Sequence, residues 1–351
     1  MIRIKLILLF ATSLHLNLTA QKLISFADLG QFKPTQNYNF QKVEDIRTNQ
    51  SKLGIMVDGV TQKRVEFNVE KGLSKAIEAL LIKNEDTQKQ IIFKVKTFEL
   101  FEKAINLKQT KGDFWITVQF FTLQEKEEQY LTEYSYSSTY TRATSNINSV
   151  QETIKKGLFA SFTNFETWFV KNNLKSDKLA SKVFVSVSDL PMNTTDTLIY
   201  DLKRKLKWSD FKGKPSLTSK YAATIFSSFG YQALAKVEGG VIRIDTKVWI
   251  YMVPNMSWVK SDTKTDYGLA HEQAHFNITK LIAEEFKTEL RTKTFSTVDW
   301  QSELQYEYIS FFQKLGKIQA KYDDETAHGI NEANQKEWMQ KIEKKLGELG
   351  N

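Results

Sequence analysis

The alternation of apolar and polar positions divides the chain into two regions. In the first, Ile55-Met56-Val57-Asp58-Gly59-Val60 reads as a strand running into a turn, and Val65, Phe67 and Val69 alternate with polar neighbours as a second strand. Between Gly72 and Ile82 the period lengthens, with Leu73, Ile77, Leu80 and Leu81 on one helical face. Strand patterns return at Ile91 to Phe98, at Phe114 to Phe120 and in the Tyr-, Ser- and Thr-rich stretch from Tyr130 to Arg142. A long helix is predicted next, with Val150, Ile154, Leu158, Phe162, Phe165 and Phe169 on one side, and Val183 to Val187 closes the region as a strand. This order of strands, helix, meander and helix predicts an α+β accessory domain with an antiparallel sheet over residues 21–190. The aromatics Phe114, Trp115, Phe120 and Phe121 read as core, with a binding face as the alternative.

The polar, turn-prone run Pro191-Met192-Asn193-Thr194-Thr195-Asp196 marks the boundary to a second domain, 196–351. Ala222 to Phe229 and Val241 to Tyr251 read as strands. In the latter, Ile242, Ile244, Val248 and Ile250 alternate against Arg243, Asp245 and Lys247. Pro254-Asn255-Met256 breaks the pattern, and three helices are predicted after it. The first runs from Tyr267 to Leu290, the second from about Thr297 to Lys321, and the third from about Asn331 to Leu346, with Gly347 just past its end. No internal repeat or low-complexity tract interrupts the two regions.

Composition adds a compartment. Arg3 and Lys5 precede an apolar stretch from Leu6 to Leu18, and Leu18-Thr19-Ala20 is an acceptable cleavage site, so residues 1–20 read as a secretory signal peptide. The stretch is too short and too broken for a membrane span, and no later segment approaches one. The chain has no Cys, which excludes a disulfide framework and a lipid attachment behind the signal. A periplasmic or extracellular location is the expectation. The formal net charge of +8 is a mild excess spread along 351 residues. The cluster Lys203-Arg204-Lys205-Lys207 reads as a solvated linker, so no nucleic-acid partner is expected.

The candidate chemistry lies at His271-Glu272-Gln273-Ala274-His275. The chain holds only 4 His, and His15 lies in the expected leader. Residues four apart share a helix face, so His271 and His275 can offer two imidazoles to one metal ion. Zinc accepts neutral imidazole readily and in catalytic sites keeps a position for water. Glu272, beside the first ligand, takes the general-base position of an H-E-x-x-H metalloprotease. The same helix carries Ala270, Ala274, Ile278, Leu281, Ile282 and Phe286 as an apolar stripe beside the histidines. A purely amphipathic helix with satisfied histidines is the bland alternative.

A wider set of residues occurs around this motif. Trp208-Ser209-Asp210-Phe211-Lys212-Gly213 with Pro215 precedes it, Phe276 extends it, and Tyr322-Asp323 with Thr326, His328 and Gly329, then Gln335 and Trp338, follow it. Over about residues 200–345 the chain resembles a bacterial family of uncharacterised secreted proteins described as zinc-dependent proteases. The resemblance implies a zincin-like metallopeptidase domain acting on a protein, a peptide or the peptide part of peptidoglycan. It does not extend to the first region.

A catalytic zinc usually has three protein ligands. His328, the one other histidine of the mature chain, is the preferred third, and Gly329 would let the turn aim its ring inward. The competing reading places a glutamate of the following helix on the metal, Glu303 or Glu307, with His328 or Tyr322 stabilising the oxyanion. Asp323, Asp324 and Glu325 are further options, as ligand or as partners orienting an imidazole. The strand Val241 to Tyr251, taken as the edge strand before the metal helix, is the expected seat of an extended substrate. The expected activity is therefore zinc-dependent amide hydrolysis with Glu272 as base. The alternatives are a non-catalytic envelope protein with a structural or vestigial metal site, and a nucleic-acid or carbohydrate binder using the aromatic first region.

Overall fold

The computed structural model describes residues 22–84, 87, 89–190, 196–215 and 218–349. The expected leader and the boundary residues Pro191 to Thr195 lie outside the described residues. The fold is mixed α+β, with five α-helices and separate sheets in two compact units, one ending at Lys171 and the other beginning at Asn172.

The first unit is built on a seven-stranded sheet. Its strands are β1 (Lys22–Ile24), β2 (Asn39–Asp45), β3 (Gly54–Val57), β4 (Arg64–Val69), β5 (Gln90–Asn106), β6 (Gln109–Gln124) and β7 (Glu127–Ala143), with the short helix α1 (Leu73–Glu78) between β4 and β5. The long strands β5, β6 and β7 form an antiparallel meander. The turn between β6 and β7 has Glu125 and Lys126 at φ 52° and 75°, the paired positive angles that match a tight hairpin to strand twist. The expected antiparallel sheet is corrected to a mixed one. β1 runs parallel to β4, and β2 and β3 both run parallel to β5. Only strands joined by a tight turn must be antiparallel, and β2 reaches β5 through a long crossover.

Helix α2 (Asn148–Asn172) covers one face of this sheet. Its predicted apolar stripe is buried from Val150 to Phe169. Phe165 stacks on Phe120 of β6 at 4.3 Å, and Phe162 meets Phe93 of β5 at 5.3 Å. Each buried phenylalanine contributes about 1.5–3 kcal/mol relative to exposure. Alternation along β6 sends Phe114 and Phe120 into this core and Trp115 to the other face, where it is half exposed.

The second unit has a four-stranded sheet of β8 (Lys182–Asp189), β9 (Leu198–Ile199), β11 (Ser227–Glu238) and β12 (Val241–Met252). A separate pair is formed by β10 (Ala223–Thr224) and β13 (Trp258–Val259). The strand expected to close the first region is β8, and it pairs in parallel with β12 across the whole run from Lys182 to Asp189. The change of unit therefore falls at the end of α2, before the polar stretch at 191–196. The strand predicted at 222–229 divides into β10 and β11 about Ile225 and Phe226. Gly239 and Gly240, at φ 62° and 73°, make the two-residue turn from β11 to β12.

Three helices complete this unit: α3 (Asp266–Thr292), α4 (Trp300–Thr326) and α5 (Glu332–Leu349). Ala274, Phe276, Ile278, Ile282, Ala283, Phe286 and Leu290 of α3 join Ile242, Ile244, Val248 and Ile250 of β12 in one core. α4 folds back along α3, and α5 adds Ile342 and Leu346 to the same core. α4 extends to Thr326 rather than ending near Lys321, because Tyr322 and Thr326 are buried on its inner face. No helix among the described residues is long and apolar enough to cross a membrane.

Candidate metal centre

The first turns of α3 are fixed from outside. Thr265 caps the helix, its hydroxyl accepting the Gly268 N–H at 3.0 Å. The Trp208 indole donates to the Thr265 carbonyl at 3.2 Å and stacks edge-on against Phe211. The Trp-Ser-Asp-Phe motif thus packs onto the start of the helix that carries His271, Glu272 and His275. Those three residues are buried, at 7, 5 and 8% exposure, and they line a cleft.

α4 runs antiparallel to α3, which sets the partners of the two imidazoles. Lys293 pairs with Glu307 beside the turn, Glu285 with Lys314 further along, and His275 and His271 meet the last turns of α4. There Asp323 Oδ1 lies 2.9 Å from His275 Nε2 and 3.3 Å from His271 Nε2, and the two Nε2 atoms are 3.3 Å apart. His271, His275 and Asp323 form a group that could hold a metal ion.

The opposite nitrogens are also held. His271 Nδ1 faces Gln335 Oε1 at 3.0 Å, and His275 Nδ1 faces Gln319 Oε1. Tyr322 packs behind both rings, stacked on His271 at 4.7 Å and edge-on to His275 at 4.8 Å. Burial, then the nearby Asp323, His271 and His275 charges, set the electrostatics. The Glu272 carboxyl is pushed above its ordinary range by burial. Burial opposes charge on both His275 and Asp323, yet the hydrogen bonds of Asp323 to His271 and His275 outweigh it. His275 is held above, and Asp323 well below, the usual value.

The cleft measures about 910 Å³. Its far wall is the segment around β10, and the Ile225 N–H donates to Glu272 Oε2 at 2.9 Å. Register places the backbone groups of Ala223 on that same side. Lys260 N–H bonds the Ala222 carbonyl, so Ala223, opposite Val259, is the alternating position whose backbone N–H and C=O face away from β13, on the side of the Ile225 N–H.

His328 lines the cleft, 38% exposed, with its Nδ1 3.7 Å from Asp323 Oδ1 and its ring against Tyr221 at 4.6 Å. It is next to the three-atom cluster rather than in it. Glu303 accepts the Ser296 N–H, and Glu307 pairs with Lys293. Both lie at the other end of α4, and Glu303 is about 30 Å along the helix from Asp323. Glu325 accepts from the Trp338 indole at 2.7 Å and braces α4 to α5. Asp324 is exposed. Tyr322 is fully buried and does not line the cleft, so its hydroxyl is not presented to a substrate. The strand expected to seat a substrate, β12, has β11 on one side and β8 and β9 on the other, and its edges are taken. Gln319 carries no sequence signature of its own. Its one detectable signal is a position one helical turn before Asp323, on the same face.

The chain matches no family model and no curated protein.

Proposed function

We propose that the chain is a zinc-dependent hydrolase of amide bonds, with a zincin-like second unit. The observation that carries this reading is the convergence of His271 Nε2, His275 Nε2 and Asp323 Oδ1, each within 3.3 Å of the others, at the base of an open cleft. Two imidazoles and a carboxylate suit zinc, and three protein ligands leave a position for water or substrate. Asp323 then takes the third place expected for His328. A zinc ion bound there would supply Lewis acidity toward water and the scissile carbonyl.

The chain's own groups account for the rest. Glu272, anchored through Oε2 by the Ile225 N–H, is placed to take a proton from water in the cleft and return it to the leaving amine. His328 faces the cleft beside the ligand cluster and is the group positioned to donate to a developing oxyanion, the role Tyr322 cannot reach. An extended peptide would pair with the backbone of Ala223 beside Glu272. Protein, peptide and peptidoglycan peptide remain the substrate classes, and the leader-like first residues support a periplasmic or extracellular setting as part of this reading.

The test compares wild type with Glu272→Gln. Both should carry zinc, and hydrolysis of peptide or peptidoglycan substrates should vanish in the variant. Equal activity in the two would overturn the assignment of the base.

A further inference from the structure

We propose that Gln319 and Gln335 act as a pair of positioning residues that lock both imidazoles in the metal-binding tautomer. This rests on the metal-centre reading above. A glutamine can present either end of its amide, but here the other end is committed. Gln319 Nε2 donates to the His275 carbonyl at 3.0 Å and to Thr279 Oγ1 at 3.2 Å. Gln335 Nε2 lies 3.4 Å from the Tyr267 carbonyl. Each Oε1 must therefore face an imidazole, and an oxygen acceptor requires a proton on Nδ1. A neutral ring with its proton on Nδ1 has its lone pair on Nε2, the atom that points at Asp323 and at the other histidine.

The two glutamines come from different helices. Gln319 is on α4, one turn before Asp323, and Gln335 is fully buried on α5. α5 supplies no ligand, yet through Gln335 it orients one. Gly329 completes the arrangement. At φ 87° it turns the chain between α4 and α5, and a Cβ there would sit 3.3 Å from Gln335 Oε1 and 3.4 Å from His271 Nδ1. Glycine at the end of the Tyr-Asp-x-x-Thr-x-His-Gly run is favoured first by this positive φ and then by the close approach of the backbone to the pair. Orienting partners of metal-bound histidines are more often carboxylates or carbonyls. An amide fixes the tautomer with less gain in ring basicity.

The experiment is a competition titration of Zn2+ against a chromogenic chelator for wild type, Gln319→Ala, Gln335→Ala and Gln335→Glu, with the metal-free unfolding midpoint and the visible spectrum of the Co2+ form of each. Gln335→Glu keeps the acceptor facing His271 and replaces the amide donor to the Tyr267 carbonyl with a buried carboxylate oxygen. Each alanine variant should bind zinc about 10–100-fold more weakly and shift the Co2+ bands, while Gln335→Glu restores wild-type affinity or exceeds it. Alanine variants that match wild type in affinity and spectrum, or a glutamate variant as weak as the alanine, would overturn the tautomer lock alone. Wild type that binds neither metal would overturn the metal-centre reading and this proposal with it.

Discussion

Asp323 Oδ1 closes a triangle with His271 Nε2 and His275 Nε2, at 3.3 and 2.9 Å, although 48 residues of chain separate it from the nearer histidine. The contact exists because α4 doubles back along α3, so the last turn of one helix meets the first turns of the other. Asp323→Ala should lower zinc affinity at least about 100-fold, since it removes one of three ligands and leaves the imidazole pair without its charge partner. Glu303→Ala should leave affinity unchanged. Chelator competition on both variants decides between the two carboxylates.

His328→Ala separates ligation from catalysis. Its ring is cleft-facing and 3.7 Å from Asp323, outside the ligand cluster. Zinc content should hold, while the turnover number falls by about 10²–10³, the usual loss of one oxyanion donor. Loss of zinc from this variant would return His328 to the place the sequence first suggested.

Tyr322→Phe tests the same question from the other side. The hydroxyl is buried with no hydrogen-bond partner among the described residues. An unpaired buried hydroxyl costs about 1–3 kcal/mol, so its removal should be neutral or stabilising in a denaturant titration, and activity should persist. A large fall in turnover with zinc still bound would show that the hydroxyl takes part in the reaction.

How far the sequence reached follows from these cases. The helix carrying His271, Glu272 and His275 was legible because its signal is local, a period of one turn beside an apolar stripe. The α2 stripe and the β12 alternation were legible for the same reason. The third ligand was not, because it depends on the register of two helices packed antiparallel, and Asp323, Asp324, Glu325 and His328 all lie within two turns of chain. The partner of β8 was hidden likewise. Nothing in Val183 to Val187 tells that its neighbour is β12, more than fifty residues on, rather than a strand of the preceding sheet. Tyr322 shows a third kind of limit. Its position beside Asp323 on a helix turns it away from the cleft that Asp323 faces.

In the first unit, Glu102 and Arg142 form an ion pair at 2.7 Å with both side chains at or below 1% exposure. Glu102 also accepts from Tyr140 and the Val57 N–H, and Arg142 donates to the carbonyls of Val57 and Thr144. Removing one partner strands the other charge in the interior, so Glu102→Ala should cost about 3–5 kcal/mol. The exposed pair Lys341 and Glu337 offers the control, and Glu337→Ala should leave the midpoint essentially unchanged. Urea midpoints of the two variants test the contrast.

Whether Asp323 completes a zinc site with His271 and His275 is decided by the zinc content of purified wild type and Asp323→Ala after identical dialysis against metal-free buffer. Wild type should hold about one zinc per chain and the variant almost none. Zinc retained in full by Asp323→Ala, or absent from wild type reconstituted with excess metal, would contradict this assignment.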